Sequence, residues 1–217
     1  YSIASSVNPT NGLMVAYDES GNVEGPVWKT REFVKDYVTL SPENIFNFYA
    51  LYHNQAGDNH PPLFYTLVHF STLLFAGEFT KYSVFIVNVI AFILSCVVIR
   101  KILKILNKDN LTIGTLIFYG LSMGTISMVI FQRMYMLLTF FILLYFYYSI
   151  RVYLNNFELS KEILIKLGIT TVLGFLTQYY FAIYAFLIFV LMIIEMIRKR
   201  KYKNIKKYVL FHILYAI

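Results

Sequence analysis

From residue 61 onward the chain alternates long apolar blocks with short polar breaks, whereas its first sixty residues mix polar, aromatic and turn-forming positions. Apolar blocks cover residues 82–99, 111–131, 134–150, 163–180 and 181–197, and another begins at 208–217. A helix rises about 1.5 Å per residue, so about 20 such residues cross a bilayer core roughly 30 Å thick. The pattern predicts an all-α, polytopic transmembrane helical bundle. A further block, 61–76, opens on Pro61-Pro62, which lack amide donors and have fixed φ and therefore suit the first turn of a helix. That helix is expected to be shallow or re-entrant.

Residues 1–60 read as a long exterior first loop carrying amphipathic juxtamembrane helices. Pro9, Gly12, Gly21 and Gly25 mark turns. Residues 31–38 place Phe33, Val34, Tyr37 and Val38 at helical spacing. Ser41-Pro42-Glu43 has the order of an N-cap, a first-turn proline and a first-turn acid, predicting a helix through Ile45, Phe46, Phe48, Tyr49 and Tyr52. Both segments are too short to cross a bilayer and too apolar on one side for water, so they are expected to lie along its surface.

Composition agrees with the pattern. Of 217 residues, 58% are hydrophobic and 14% charged, and mean hydropathy is +0.60. An ordinary soluble domain of this length is far less apolar. The net charge of +7 would suit a nucleic-acid binder, yet Lys and Arg fall in short runs directly after apolar blocks, at 100–108, at Arg151 and at 198–207. Cytoplasmic loops have that arrangement, so the basicity is read as topology, with no nucleic-acid partner. If 61–76 does not cross, all the basic runs share one side, and Asp58, His60, Lys81, Gln132, Arg133 and Gln178 gather on the other. The single cysteine, Cys96, leaves no internal disulfide to frame the exterior loop.

These polar interruptions are the candidate chemistry. Asp58-Asn59-His60 stands ahead of a helix start, where free N–H groups and the dipole favour an anion; the plainer alternative is that Asp58 and Asn59 only cap the helix. A guanidinium near hydrocarbon costs several kcal/mol unless paired or wet, so Arg133 is expected to face an aqueous pocket or an anion, with snorkelling to lipid phosphates as the alternative. Gln178 with Tyr179 and Tyr180, and Lys81, also read as ordinary interface anchors. Asp18-Glu19 reads as a solvated turn, and the 19 tyrosines and 20 phenylalanines as packing and bilayer-facing material. There is no nucleotide fingerprint, no phosphate-cradling glycine loop and no His/Cys metal cluster.

Taken in order, Asn59-His60-Pro61-Pro62-Leu63, Gly77-Glu78-Phe79 with Lys81, Gln132-Arg133-Met134-Tyr135-Met136-Leu137-Leu138 and Leu176-Thr177-Gln178-Tyr179-Tyr180-Phe181 resemble the amino-terminal half of the GT-C membrane glycosyltransferases. The branch most similar is that of protein O-mannosyltransferases and aminoarabinose lipid A transferases, and the likeness runs from about residue 1 to 181. The resemblance implies a sugar donor carried on a polyprenyl phosphate and transferred outside the cytoplasm to a hydroxyl of a protein, lipid or glycan. It implies donor phosphate binding by Arg133 and Lys81, catalytic or positioning roles for Asp58 and His60, and a substrate pocket with Asn59, Gln132, Tyr135, Gln178 and Tyr179. Lys81 stands where arginine is usual, Phe131 where many members have glutamate, and Gln178 where histidine is frequent. A divalent ion is left open; magnesium or manganese would suit phosphate and oxygen ligands.

The family's acidic pair would fall just before Tyr1. The chain opens without methionine and stops inside an apolar run, so a fragment of a longer protein is expected, in the plasma membrane of a prokaryote. Two other readings stay open: a transporter or flippase for a lipid-linked substrate, and a non-catalytic transferase-like membrane protein.

Overall fold

The computed structural model describes residues 2–7, 30–56 and 60–216. The turn signals at Pro9, Gly12, Gly21 and Gly25, the Asp18-Glu19 pair, and Asp58 and Asn59 lie outside these residues. The described residues are helical, with no strand among them. They form two compact units, 1–88 and 89–217.

The first unit contains α1 (Ser2–Val7), α2 (Arg31–Val38), α3 (Phe48–Ala56), α4 (Leu63–Thr72) and the opening of α5 (Tyr82–Ile105). Every residue of α1 is buried, and it lies chiefly against α4, where Phe64, Tyr65 and Val68 are fully enclosed. Helix α2 begins where the Thr30 side chain accepts the Phe33 N–H, and none of its residues is buried. The helix expected from Ser41 onward is divided. Pro42–Asn44 forms a 3-10 turn, Phe46 adopts φ +64°, and α3 starts only at Phe48. The Ser41 hydroxyl accepts from the Asn44 side chain and makes no cap to the backbone, so the continuous helix loses its start signal.

Helix α4 begins one residue after the Pro-Pro pair, with the Pro62 carbonyl accepting both the N–H and the hydroxyl of Thr66. It tightens into a 3-10 turn at Leu73–Phe75 and ends at Gly77, whose φ of +82° favours a residue without a Cβ. The Gly77 N–H donates to the Leu40 carbonyl at 3.2 Å, joining this turn to the segment that follows α2.

The second unit holds the rest of α5, α6 (Thr112–Leu121), α7 (Met123–Ile130), α8 (Tyr135–Leu154), α9 (Lys161–Thr177), α10 (Tyr180–Arg198) and α11 (Tyr202–Ala216). Helices α5, α8 and α10 are long and apolar enough to cross a membrane. The α6–α7 pair qualifies as a fourth if its 57° bend counts as one broken span. Apolar side chains cover the outside of α10: Ile183, Phe186, Leu187, Leu191 and Ile194 are exposed on one stripe, while Phe181, Ala185, Met192 and Met196 are buried on the other. In water such a stripe would be a large liability; against lipid tails it is the expected surface.

The bend falls at Ser122, in extended conformation inside an otherwise apolar run. Its hydroxyl accepts the Thr125 N–H and lies 2.9 Å from the Tyr119 carbonyl, so one side chain serves both freed helix ends. Hydropathy alone reads 111–131 as one block because Ser122 and its glycine neighbours barely lower the local average. Below α8 and α9, the turn at Asn156 and Phe157 takes positive φ and is clasped by the basic run. The Asn204 side chain donates to the Phe157 carbonyl, Lys207 donates to the Leu159 carbonyl, and the Lys199 ammonium lies 4.0 Å from the centre of the Tyr153 ring. At the start of α9, the Lys166 ammonium beside Glu162 holds that carboxyl below the usual carboxylate range.

Candidate functional site

Each described candidate residue sits at or beside a helix end. In the first unit, His60 is half-buried ahead of α4, its ring edge-on to Tyr65 with centroids 6.4 Å apart. Lys81 is exposed at the first turn of α5, where the Thr80 hydroxyl accepts the Tyr82 N–H, and its ammonium lies 5.8 Å from the centre of the Tyr82 ring. A cation at a helix N-terminus opposes the dipole, and the two together draw an anion. Asp58 and Asn59, assigned from the sequence to the same end, lie outside the described residues.

In the second unit, α7 stops at an inverse γ-turn. Phe131 has φ −76° and ψ 62°, and the Gln132 N–H donates to the Ile130 carbonyl at 2.9 Å. The turn sets Gln132 and Arg133, both half-buried, between two helices instead of inside one. Met134, fully buried, supplies the carbonyl that accepts the Leu138 N–H, so α8 begins directly after Arg133. The first N–H groups of α8 have no acceptor within the helix. A guanidinium next to such a start adds directional donors and positive charge to a helix dipole of the same sign. Tyr135 is exposed and stacks on Phe131 at 6.2 Å with rings 9° apart, so Phe131 supports an aromatic shelf beside Arg133.

Gln178 lies in the break between α9 and α10 and is buried. Its side-chain oxygen accepts the Tyr179 N–H at 3.0 Å and its carbonyl accepts the Phe181 N–H at 3.0 Å, so it caps α10. Tyr179 is exposed and packs on Phe175 at 5.2 Å. The structure thus brings Phe131 to Tyr135, Gln178 to Tyr179 and His60 to Tyr65. His60 and Lys81 belong to the first unit, and Gln132, Arg133, Tyr135, Gln178 and Tyr179 to the second. Among the described residues no three His, Cys, Asp or Glu side chains come together as a metal site.

Two histidines escaped the sequence reading. His69 is almost wholly buried on α4, with Nδ1 2.7 Å from the Ser6 carbonyl oxygen and the Phe48 ring 5.4 Å away. A carbonyl can only accept, so Nδ1 carries the proton and Nε2 is a buried acceptor without a partner. His212 on α11 bridges two tyrosines. The available signal was an ionisable residue inside an apolar run, which in a membrane marks function or an internal contact.

The fold is that of an integral membrane protein built from helices. Residues 59–217, most of the chain, match the family model described as dolichyl-phosphate-mannose-protein mannosyltransferase, and the chain belongs to that family of GT-C-like membrane glycosyltransferases. No curated protein and no solved structure matches it. The family implies glycosyltransferase activity in general.

Proposed function

We propose that the protein transfers a sugar from a polyprenyl-phosphate donor to a hydroxyl of a protein, lipid or glycan acceptor, on the non-cytoplasmic side of a multi-pass, prokaryotic plasma-membrane protein. The observation that carries this reading is Arg133 held by the Phe131 turn against the start of α8, in a chain of this family.

In the reaction the acceptor hydroxyl oxygen bonds to the anomeric carbon while the bond from that carbon to the phosphate oxygen breaks. The electron pair leaves with the polyprenyl phosphate, and the hydroxyl proton passes to a carboxylate. Charge grows on the departing phosphate, and donors already fixed in place stabilise it without reorganisation. Arg133 and the first N–H groups of α8 take that role, and Gln132, Tyr135, Gln178 and Tyr179 contact substrate. From the first unit, Lys81 binds donor phosphate, Asp58 and His60 orient the acceptor, and Asn59 contacts substrate. The basic runs face the cytoplasm, which puts the helix breaks on the opposite side.

Two measurements test the proposal. Purified full-length protein given radiolabelled polyprenyl-phosphate sugar releases free polyprenyl phosphate only when acceptor is present. Cysteines introduced at positions 60 and 133, each in a Cys96→Ser background, are labelled by an impermeant reagent from the same side. Labelling from opposite sides overturns the site, and accumulation of intact substrate across sealed vesicles overturns the chemistry.

A further inference from the structure

A groove of about 830 Å³ runs beside α2 in the first unit, and one of its walls stands just ahead of Lys81 in the chain. One wall is a single face of α2: Arg31, Val34, Lys35 and Val38 recur at the three- and four-residue steps that put side chains in line. The other wall is Glu78 and Phe79, in the turn held to the end of α2 by the Gly77 to Leu40 hydrogen bond. Between the charged side chains the lining is apolar, and Val34 and Phe79 are 41% and 55% exposed. Among the described residues neither Arg31 nor Lys35 pairs with a carboxylate.

The chemistry of the lining selects its occupant. Two cations one helical turn apart fit a phosphate, Val34, Val38 and Phe79 fit hydrocarbon, and the single carboxylate of Glu78 across the groove fits an ammonium. A free phosphate uses only the first of these, and a polyprenyl phosphate leaves Glu78 without a partner. An amphipathic helix with an exposed aromatic residue, here Phe33 stacked on the half-buried Tyr37 at 6.2 Å, lies at the depth where lipid headgroups are found. We propose that this groove holds one phosphatidylethanolamine molecule, with its phosphate on Arg31 and Lys35, its ammonium on Glu78 and the start of its acyl chains along Val34, Val38 and Phe79. The site is independent of the glycosyl-transfer reading, since it is defined and tested by lipid binding.

The test is native mass spectrometry of the full-length protein released from nanodiscs of equimolar phosphatidylethanolamine and phosphatidylglycerol. One phosphatidylethanolamine is retained in preference to phosphatidylglycerol by roughly tenfold, the ratio that one charge-assisted hydrogen bond supplies. Glu78→Gln removes the preference while phosphatidylglycerol still binds. Arg31→Gln with Lys35→Gln lowers retention of both lipids. All three positions tolerate these changes as surface residues, and an unchanged thermal transition shows that the variants fold. Equal retention of the two lipids by the parent protein overturns the proposal, as does a preference that survives Glu78→Gln.

Discussion

The phenolic oxygen of Tyr145 lies 3.0 Å from Nε2 of His212, and Nδ1 of the same ring lies 2.9 Å from the Tyr208 carbonyl oxygen. The carbonyl fixes the proton on Nδ1, so Nε2 accepts and Tyr145 donates. Tyr145 on α8 is fully buried and meets Phe181 of α10 edge-on at 5.7 Å, while His212 packs against Phe189 at 4.9 Å. One hydrogen bond therefore ties α8 to α11 across a wall of rings from α10. Tyr145→Phe leaves Nε2 without its donor and lowers stability by about 1 kcal/mol. His212→Leu leaves the buried phenol unpaired at a similar cost. A double-mutant cycle read by thermal unfolding in detergent gives less loss for the pair than the two single losses added, and simple additivity refutes the bond.

At Gly174, α9 is packed directly against the Phe181 ring of α10. A Cβ there would fall 2.6 Å from the Phe181 ring, closer than any real contact. Phe181 has no room to withdraw, being buried against Tyr145 and Tyr184. Gly174→Ala is therefore expected to cost about 1–3 kcal/mol through overpacking, and Phe181→Leu in the same protein to return part of it. The measurement is again the thermal transition. An alanine variant as stable as the parent would show that the helices do not meet at this residue.

His69 joins α4 to α1 through an atom that only certain side chains reproduce. The Asn amide nitrogen occupies the place of Nδ1, the Gln nitrogen that of Nε2. His69→Asn retains the bond to the Ser6 carbonyl and loses little. His69→Leu leaves that carbonyl buried without its donor, at about 1–3 kcal/mol, and His69→Gln falls between. Proteolysis of the first unit under native conditions follows this order. A ranking with Gln above Asn would place the contact at the other ring nitrogen.

Arg133 and His60 carry the functional prediction. Arg133→Ala abolishes sugar transfer while membrane insertion stays normal. Arg133→Lys keeps the charge, loses the planar fork and lowers kcat/KM by about tenfold or more. His60→Ala lowers transfer substantially. Full activity in both alanine variants removes these residues from the site even if the protein is a transferase.

The helical, membrane-embedded class and the family were legible because both are written in local pattern: apolar blocks of bilayer length, and short motifs in a fixed order. Helix α2 appeared at the expected residues because its apolar spacing and the Thr30 cap agree. The break before Arg133 was legible as a polar interruption, but the γ-turn that makes it was not, since phenylalanine has no turn preference of its own. The division at Phe46 and the bend at Ser122 were missed for a related reason, because side-chain hydrogen bonds to near neighbours decide both. His69 and His212 passed as members of apolar runs, and their partners are far away in sequence.

The angle at Ser122 changes how far the chain reaches through the lipid. Residues 109–121 and 123–130, at about 1.5 Å per residue and with the second limb tilted 57° from the first, advance only about 25 Å, some 5 Å short of a hydrocarbon layer about 30 Å deep. In the proposed topology that shortfall leaves the Phe131 turn sunk beneath the headgroups, so the leaflet must dimple or water must enter to reach it. In the proposed reaction, the phosphate of a polyprenyl carrier would then have to leave the aqueous boundary only slightly to arrive at the depth of that turn.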